Sequence, residues 1–334
     1  MNLNYIPSLV KATGVQPGEL ILIHFWGEDS EKEIANAFFS TVAALGATPI
    51  LLQQSRTNNA TVFSQATASC FDDRYFESLS HFDAVLDIFA YRPIILGQDL
   101  EPEQMNLYRS YISRLFYALM KAKRFTQIRI PTVENAAESN LSADEFIVRM
   151  EAAYDLDYDE LHTACLRLKE QLERHNRYTL HTGDHCMLHF DLTGRSWHLD
   201  TGDGDLPCGE VYIAPVEEST NGTVWFDTLF LEDVGTFQSV TLTIQNGHLT
   251  ESNHPAVSEF LQTLTDASSI VCELGFGMNP NVHGLCGYSV LDEKAAASFH
   301  IALGANNMFG GTNKADQHID LVCTGKFNLS EETL

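Results

Sequence analysis

The chain has 334 residues and a formal net charge of −25, from 20 Lys and Arg residues against 45 Asp and Glu residues. At roughly 100–200 residues per domain, this length predicts two domains. Hydrophobic residues make up 44% of the chain, which excludes wholesale disorder. Nucleic acids and anionic membranes both require clustered cations, so the acidic balance argues against either as a partner.

Features of the sequence that bear on location favour the cytoplasm. Residues 1–5 lack a basic region followed by an apolar run, so we expect no signal peptide. No stretch approaches the about 18 continuous apolar residues of a transmembrane helix. The seven Cys residues are scattered without a C-x-x-C pair, which favours a reducing compartment over a disulfide framework.

The first third of the chain alternates strand and helix patterns. Residues 19–26 form a short apolar run followed by Gly27, which is typical of a buried parallel strand. Apolar residues then recur at helical spacing until Gly46, and a second strand begins at 47–52. Further strands at 84–89 and 128–130 flank a long helix. The N-terminal part is therefore predicted to be an α/β domain with a doubly wound parallel sheet.

The pattern changes near residue 180. Residues 144–174 have a helical pattern, whereas 182–250 contains short alternating runs broken by Gly, Asn and Asp, as in an antiparallel sheet. The sequence then predicts a helix near 257–264, a strand at 270–273 with a flexible Gly-rich stretch after it, a helix near 293–299 and a strand at 318–322. We predict an α/β domain at 1–180 and a C-terminal α+β domain with an antiparallel sheet at 181–334.

Residue types that bind metals are concentrated in the C-terminal part. His318 and Asp320 project from one face of an expected strand, where they can bind one divalent cation. Glu293 and His300, roughly 10 Å apart in a continuous helix, would flank a two-metal site. Glu273 ends an apolar strand. Each pattern alone is more often a hydrogen-bonded pair or surface decoration, but their proximity indicates a cation, because unpaired buried charges are costly.

Residues 209–222, with the sequence GEVYIAPVEESTNG, strongly resemble the G-E-V-[FY]-x-A-P-x-E-[DE]-S-x-x-G segment of the thermophilic metallo-aminopeptidases, the aminopeptidase T and aminopeptidase S kind. Segments 273–277, 291–304 and 318–320 are similar to the remaining motifs of that family, in the same order. The resemblance implies a metal-binding catalytic domain at 181–334 that hydrolyses N-terminal residues of peptide or aminoacyl substrates. It also implies a homodimer.

Carried over position by position, the resemblance implies a site with two divalent cations, Zn²⁺, Co²⁺ or Mn²⁺. A water that bridges the two cations would supply a hydroxide near neutral pH. Glu273 would bridge the metals. The implied ligands are Glu210, Glu273, Glu293, His300, His318 and Asp320.

The family places a catalytic Tyr seven positions after the ligand His, and that position is Asn307 in this chain. A phenol that donates to the tetrahedral oxyanion is therefore missing there. Asn307, Asn306 and Tyr288 are candidates to replace it. Glu217 is a candidate general base outside the metal ligands.

Two alternatives remain open. The same fold resembles the dihydroxypyridine ring-cleaving dioxygenases, which bind one ferrous ion through two His residues and one carboxylate. Those enzymes have His where this chain has Glu273, and they lack the other carboxylates, so the carboxylates retained here favour the peptidase. The second alternative is a non-catalytic binder that kept the metals and lost turnover with the Tyr.

Overall fold

The computed structural model describes residues 2–93 and 100–331. The described helices are α1 (Ile6–Ala12), α2 (Lys32–Ala44), α3 (Arg56–Phe63), α4 (Asp73–Ser78), α5 (Pro102–Leu119), α6 (Val133–Ala136), α7 (Ala143–Tyr154), α8 (Tyr158–Leu172), α9 (Pro255–Leu261) and α10 (Ser289–Asp292). The described strands are β1 (Leu20–Trp26), β2 (Thr48–Gln54), β3 (Ala84–Phe89), β4 (Arg124–Arg129), β5 (Arg177–Thr182), β6 (Cys186–Asp191), β7 (His198–Asp200), β8 (Asp205–Leu206), β9 (Glu210–Ile213), β10 (Asn221–Leu231), β11 (Gly235–Gln245), β12 (His248–Ser252), β13 (Val271–Gly277), β14 (Phe299–Gly304), β15 (His318–Cys323) and β16 (Phe327–Glu331).

The chain divides into two compact units. Unit 1 comprises the residues up to 138 together with 142–155 and 202–207, and unit 2 comprises 139–141, 156–201 and the residues from 208 onward. The predicted boundary near residue 180 differs from this division, because α8 belongs to unit 2. The buried face of α8 includes Leu161 and Cys165, and the helix lies against β7 and β9.

Unit 1 contains a parallel sheet, sheet A, with the strand order β2-β1-β3-β4-β8. Its central strands β1 and β3 are buried along almost their whole length, which accounts for their continuous apolar runs. Helices α3, α4 and α5 share an apolar core with this sheet, in which Phe63, Tyr108 and Leu115 are buried together with Val85 of β3. The predicted α/β fold with a parallel sheet is confirmed.

The antiparallel pairing that the sequence predicted is present in unit 2, where it forms two sheets rather than one. Sheet B has the strand order β12-β11-β10-β6-β5-β16, and sheet C has the order β15-β14-β13-β9-β7. Aromatic side chains pack the two sheets together: the ring of Phe299 in β14 lies 5.8 Å from Phe226 and 5.2 Å from Phe327. Because side chains alternate across a strand, the neighbours of Phe299 point to the opposite face of sheet C.

The helix predicted near 293–299 is wrong. Helix α10 ends at Asp292, and the chain turns before it enters β14 at Phe299. Ala297 adopts a positive φ of 61°, and the amide of Ala296 donates to the carbonyl of Asn279 rather than to a helical partner. Pairing with the segment at Asn279 thus overrides the helix preference of the alanines.

The strand predicted at 270–273 continues as β13 through Gly277, so the Gly-rich stretch that we expected to be flexible is a buried strand. Here the glycines make room for neighbours: a Cβ on Gly275 would lie 2.0 Å from the His300 Nε2 atom, and one on Gly277 would lie 2.1 Å from the Ala295 carbonyl oxygen. In the described part of the chain, no helix has the length and apolar character that crossing a bilayer requires.

Candidate metal centre

One face of sheet C gathers the carboxylates and imidazoles that the sequence singled out. β9 supplies Glu210, and β13, its neighbour, supplies Glu273. β14 supplies His300, and β15 supplies His318 and Asp320. All of these residues belong to unit 2. Residues far apart in the sequence therefore meet because antiparallel pairing places their strands side by side.

Glu210, Glu273 and His300 form a first group of potential ligands, in which one atom from each side chain lies within 4.8 Å of the others. The His300 Nε2 atom is 3.0 Å from Glu273 Oε1 and 3.5 Å from Glu210 Oε2. The His300 side chain is fully buried, so it meets the two carboxylates out of contact with water.

Glu273, His318 and Asp320 form a second group on the other side of the same carboxylate. The His318 Nε2 atom is 3.6 Å from Glu273 Oε2 and 3.3 Å from Asp320 Oδ1. The other ring nitrogen of His318 lies 2.9 Å from the Ala305 carbonyl oxygen. A backbone contact of this kind fixes the ring orientation and leaves Nε2 facing the carboxylates.

Two buried oxygen atoms of these groups, Glu210 Oε2 and Asp320 Oδ1, have no hydrogen-bond partner among the described residues. Leaving a buried carboxylate oxygen unsatisfied is costly unless a cation compensates for it. Carboxylates and imidazoles are ligands that borderline divalent cations such as Zn²⁺, Co²⁺ and Mn²⁺ accept. The donor set therefore fits the metal expected from the sequence.

Burial and mutual charge shift the ionisation of these side chains. Burial raises the pKa of Glu210 despite the nearby Lys294 ammonium. Burial also opposes ionisation of Asp320, but the His318 ring, 3.3 Å away, and its charge outweigh burial and hold the pKa of Asp320 below the ordinary range. Burial lowers the pKa of His300 and of His318, but the neighbouring carboxylates outweigh burial and raise both values. Cations and protons would therefore compete for the same imidazole nitrogens.

Glu293, the sixth predicted ligand, lies beside the second group rather than within either one. A side-chain hydrogen bond links Glu293 to Asp320, and burial raises the pKa of Glu293 well above its ordinary value. Its Oε1 atom is 2.8 Å from Lys294 Nζ. All six predicted ligands thus converge on one region of unit 2.

The predicted catalytic residues differ in their burial and in their hydrogen bonds. Glu217 accepts hydrogen bonds from Arg195 and from the Thr312 amide. Tyr288 is buried at the start of α10, and its carbonyl accepts hydrogen bonds from two amides of that helix. Asn307 is exposed in the turn after β14, whereas its neighbour Asn306 is buried.

The sequence analysis missed two charged residues of this region. Lys294 is 1% exposed and contacts three carboxylates, one of which belongs to Asp200. The sequence contained one signal for Lys294, which is its position next to the candidate ligand Glu293 in an alanine-rich segment. Asp200 begins a Gly- and Asp-rich stretch that is typical of a turn, so its sequence context does not indicate a contact with the site.

The fold and site define a mixed α/β protein with a buried carboxylate–imidazole cluster suited to divalent cations. A family model described as thermophilic metalloprotease (M29) matches residues 9–331. The chain belongs to this family and is a metallopeptidase by membership. A comparison with curated proteins finds no match.

Two solved structures share the fold over almost the whole chain. One is the wild-type AmpT from Thermus thermophilus, with a TM-score of 0.68 and 16% identity, covering 98% of this chain and 94% of that one. The other is the 2,5-dihydroxypyridine dioxygenase from Pseudomonas putida KT2440, with a TM-score of 0.67 and 16% identity, covering 98% and 92%. At this identity the two similarities establish the fold alone.

Proposed function

We propose that the protein is a metallo-aminopeptidase with two divalent cations. The observation that carries the proposal is the position of the Glu273 carboxylate, which belongs to both groups of potential ligands. Its Oε1 atom faces His300 and its Oε2 atom faces His318. A carboxylate with an imidazole on each side is suited to join two cations.

The two groups divide the ligands between the cations. Glu210 and His300 would hold one cation with Glu273 Oε1, and His318 and Asp320 would hold the other with Glu273 Oε2. Glu293 would complete the second position from beside Asp320. Bound there, the cations would supply Lewis-acid polarisation of the scissile carbonyl and a bridging water that is deprotonated near neutral pH.

The remaining features of the proposal are predictions from the sequence. These are the preference for a free N-terminus, the homodimer and the cytoplasmic location. The catalytic roles of Glu217, Asn307 and Tyr288 also stay predictions. Of these three side chains, Glu217 has both carboxylate oxygens engaged, which favours an indirect role in holding the chain around the site.

A one-iron dioxygenase is the alternative, because a protein of that activity shares the fold. A two-His, one-carboxylate triad needs both imidazoles on one ion. In this chain the second of those imidazoles is replaced by the Glu273 carboxylate, which contacts His318 through one oxygen atom and His300 through the other. This arrangement supports two centres, and we therefore favour the peptidase.

Elemental analysis combined with a peptidase assay tests the proposal. We expect the purified protein loaded with Zn²⁺, Co²⁺ or Mn²⁺ to bind two ions per chain and to release N-terminal residues from short peptides. Chelation should stop the release. Glu273→Gln should lose ions and at least about 100-fold of the activity, since even residues that only support ligands commonly contribute 10–100-fold.

Glu259→Gln is the matched control, because Glu259 is exposed on α9 and should leave both readouts unchanged. One iron per chain, with oxygen consumption on dihydroxylated heteroaromatic compounds, would establish the alternative. Loaded protein that cleaves no peptide or aminoacyl amide across a broad panel would refute the aminopeptidase.

A further inference from the structure

Lys294 places an ammonium group inside the carboxylate cluster. The Nζ atom is 2.7 Å from Glu210 Oε1, 2.8 Å from Glu293 Oε1 and 3.2 Å from Asp200 Oδ2. The side chain is 1% exposed, so the charge cannot be satisfied by water. A buried ammonium is costly unless it is paired, and here the three surrounding carboxylates pair with it.

The contacts of Lys294 distinguish the two oxygen atoms of Glu210. Oε1 accepts a hydrogen bond from Lys294 Nζ, whereas Oε2 has no hydrogen bond among the described residues and lies 3.5 Å from His300 Nε2. The ammonium therefore occupies one oxygen and leaves the other directed at the first group of potential ligands. A carboxylate held in this way can bind a cation through a single, fixed oxygen atom.

We propose that Lys294 is a positioning residue for the metal site, which orients Glu210 and Glu293 so that each presents one oxygen atom to the cations. The inference rests on the two-cation function proposed above. It adds a role for a residue that is neither a ligand nor a substrate contact.

Asp200 and the backbone fix Lys294 from the other side. Asp200 in β7 is the register partner of Glu210 in β9, so a single ammonium spans two adjacent strands. The carbonyl of Lys294 accepts a hydrogen bond from the Asn279 amide at 2.8 Å, and its own amide donates to Leu291. The side chain thus emerges from a turn that is held at both its carbonyl and its amide.

Once Asp200 is counted with the carboxylates of the cluster, the charges balance when Lys294 is counted as well. Five carboxylates surround the site, from Asp200, Glu210, Glu273, Glu293 and Asp320. With all of them ionised and one ammonium, the sum is −5 + 1 = −4, which two divalent cations neutralise. Lys294 and Asp200 therefore form an internal pair that adds no net charge to the six proposed ligands.

Removing the ammonium separates positioning from simple electrostatics, because the two effects have opposite signs. If Lys294 only repelled cations, Lys294→Met would make the site more negative and tighten metal binding. If Lys294 positions the ligands, the same substitution frees Glu210 and Glu293 to reorient and weakens binding.

The experiment measures Co²⁺ or Zn²⁺ binding by titration calorimetry and counts bound ions by elemental analysis. We expect Lys294→Met to bind at least one of the two ions about 10–100-fold more weakly than the wild type, the usual effect of losing a residue that supports a ligand. Lys294→Arg, which keeps the charge, should recover part of the loss. Lys326→Met is the control, because Lys326 is exposed in the same unit and should bind both ions normally.

Lys294→Gln keeps hydrogen-bond donors while removing the charge, and it provides the same comparison if the methionine variant does not fold. Circular dichroism at the titration temperature establishes that each variant is folded. Two ions bound with unchanged or higher affinity by either folded variant would overturn the positioning role and leave the proposed function intact. A wild-type protein that binds no pair of ions would instead refute the proposed function.

Discussion

Gly275 is where the backbone of β13 comes closest to a potential ligand ring. A Cβ at this position would lie 2.0 Å from His300 Nε2 and 2.2 Å from its Cε1 atom. The backbone angles of Gly275 are accessible to any residue, so the requirement for glycine is one of space rather than of conformation. The missing side chain leaves room for the imidazole beside the strand, where its Nε2 atom reaches Glu273.

We therefore expect Gly275→Ala to displace the His300 ring. The added methyl group should weaken metal binding and lower the free energy of unfolding by about 1–3 kcal/mol, the usual effect of overpacking a filled site. Metal titration and denaturant unfolding measure the two effects.

Gly325→Ala is a suitable control, since its Cβ would lie 3.1 Å from the Asp227 carboxylate and 3.4 Å from the Cys323 Sγ atom, with no potential metal ligand among these nearest neighbours. That carboxylate belongs to a side chain that can shift, so metal binding should not change. Normal metal affinity in Gly275→Ala would show that the close approach at this glycine is unimportant to the site.

Glu217, in the loop between β9 and β10, holds the connection between β14 and β15 through the Thr312 amide. Its Oε2 atom lies 2.5 Å from Arg195 Nη2, and its Oε1 atom accepts a hydrogen bond from the Thr312 amide at 2.6 Å. Asn306 reinforces this connection by accepting a hydrogen bond from the Asn313 amide. Because β15 carries His318 and Asp320, an ordered connection helps to place both residues.

The ionisation of Glu217 predicts how this connection depends on pH. Burial alone would raise the pKa of Glu217, but the Thr312 hydrogen bond and the Arg195 charge outweigh burial and lower it. The ionised group therefore stabilises the fold above the unfolded pKa of about 4.3, and the contribution is lost as the pH falls through the folded value. Thermal unfolding at pH 7 should show Glu217→Gln to be less stable than the wild type.

That difference in melting temperature should shrink as the pH is lowered below about 4, where the wild-type carboxyl also becomes neutral. A difference that stays constant from pH 7 to pH 3 would show that the charge of Glu217 is not what holds the connection.

At the level of elements, sequence patterns predicted best where one local rule acts. The i, i+2 spacing of His318 and Asp320 placed both on one face of a strand, and β15 has this arrangement. The helix expected around Glu293 failed because a tertiary contact with Asn279 redirects the chain, and a local pattern contains no information on that partner. Asp200 and Lys294 were missed for the same reason.

On the scale of the whole molecule, all the potential ligands lie in unit 2. A cation bound there should stabilise the folded chain, by about 2.7 kcal/mol when its concentration is 100 times the dissociation constant. We predict that Zn²⁺, Co²⁺ or Mn²⁺ raises the melting temperature and that a chelator reverses the change.

Hydrogen exchange measured with and without metal tests where this stabilisation acts. We expect metal to slow exchange most in β9, β13, β14 and β15 of sheet C, with smaller changes in the parallel sheet of unit 1, because local opening of sheet C separates the ligands. Equal protection of both sheets would mean that the chain opens only as one cooperative whole.

The discontinuity of the ligands along the chain also determines when a cation can enter. Potential ligands extend from Glu210 to Asp320 and meet only after four strands of sheet C have paired. In a zinc finger, by contrast, closely spaced ligands let the ion organise the polypeptide. Folding must therefore precede metal binding in this protein. Mutations that slow the pairing of β15 with β14 would delay metal incorporation during synthesis.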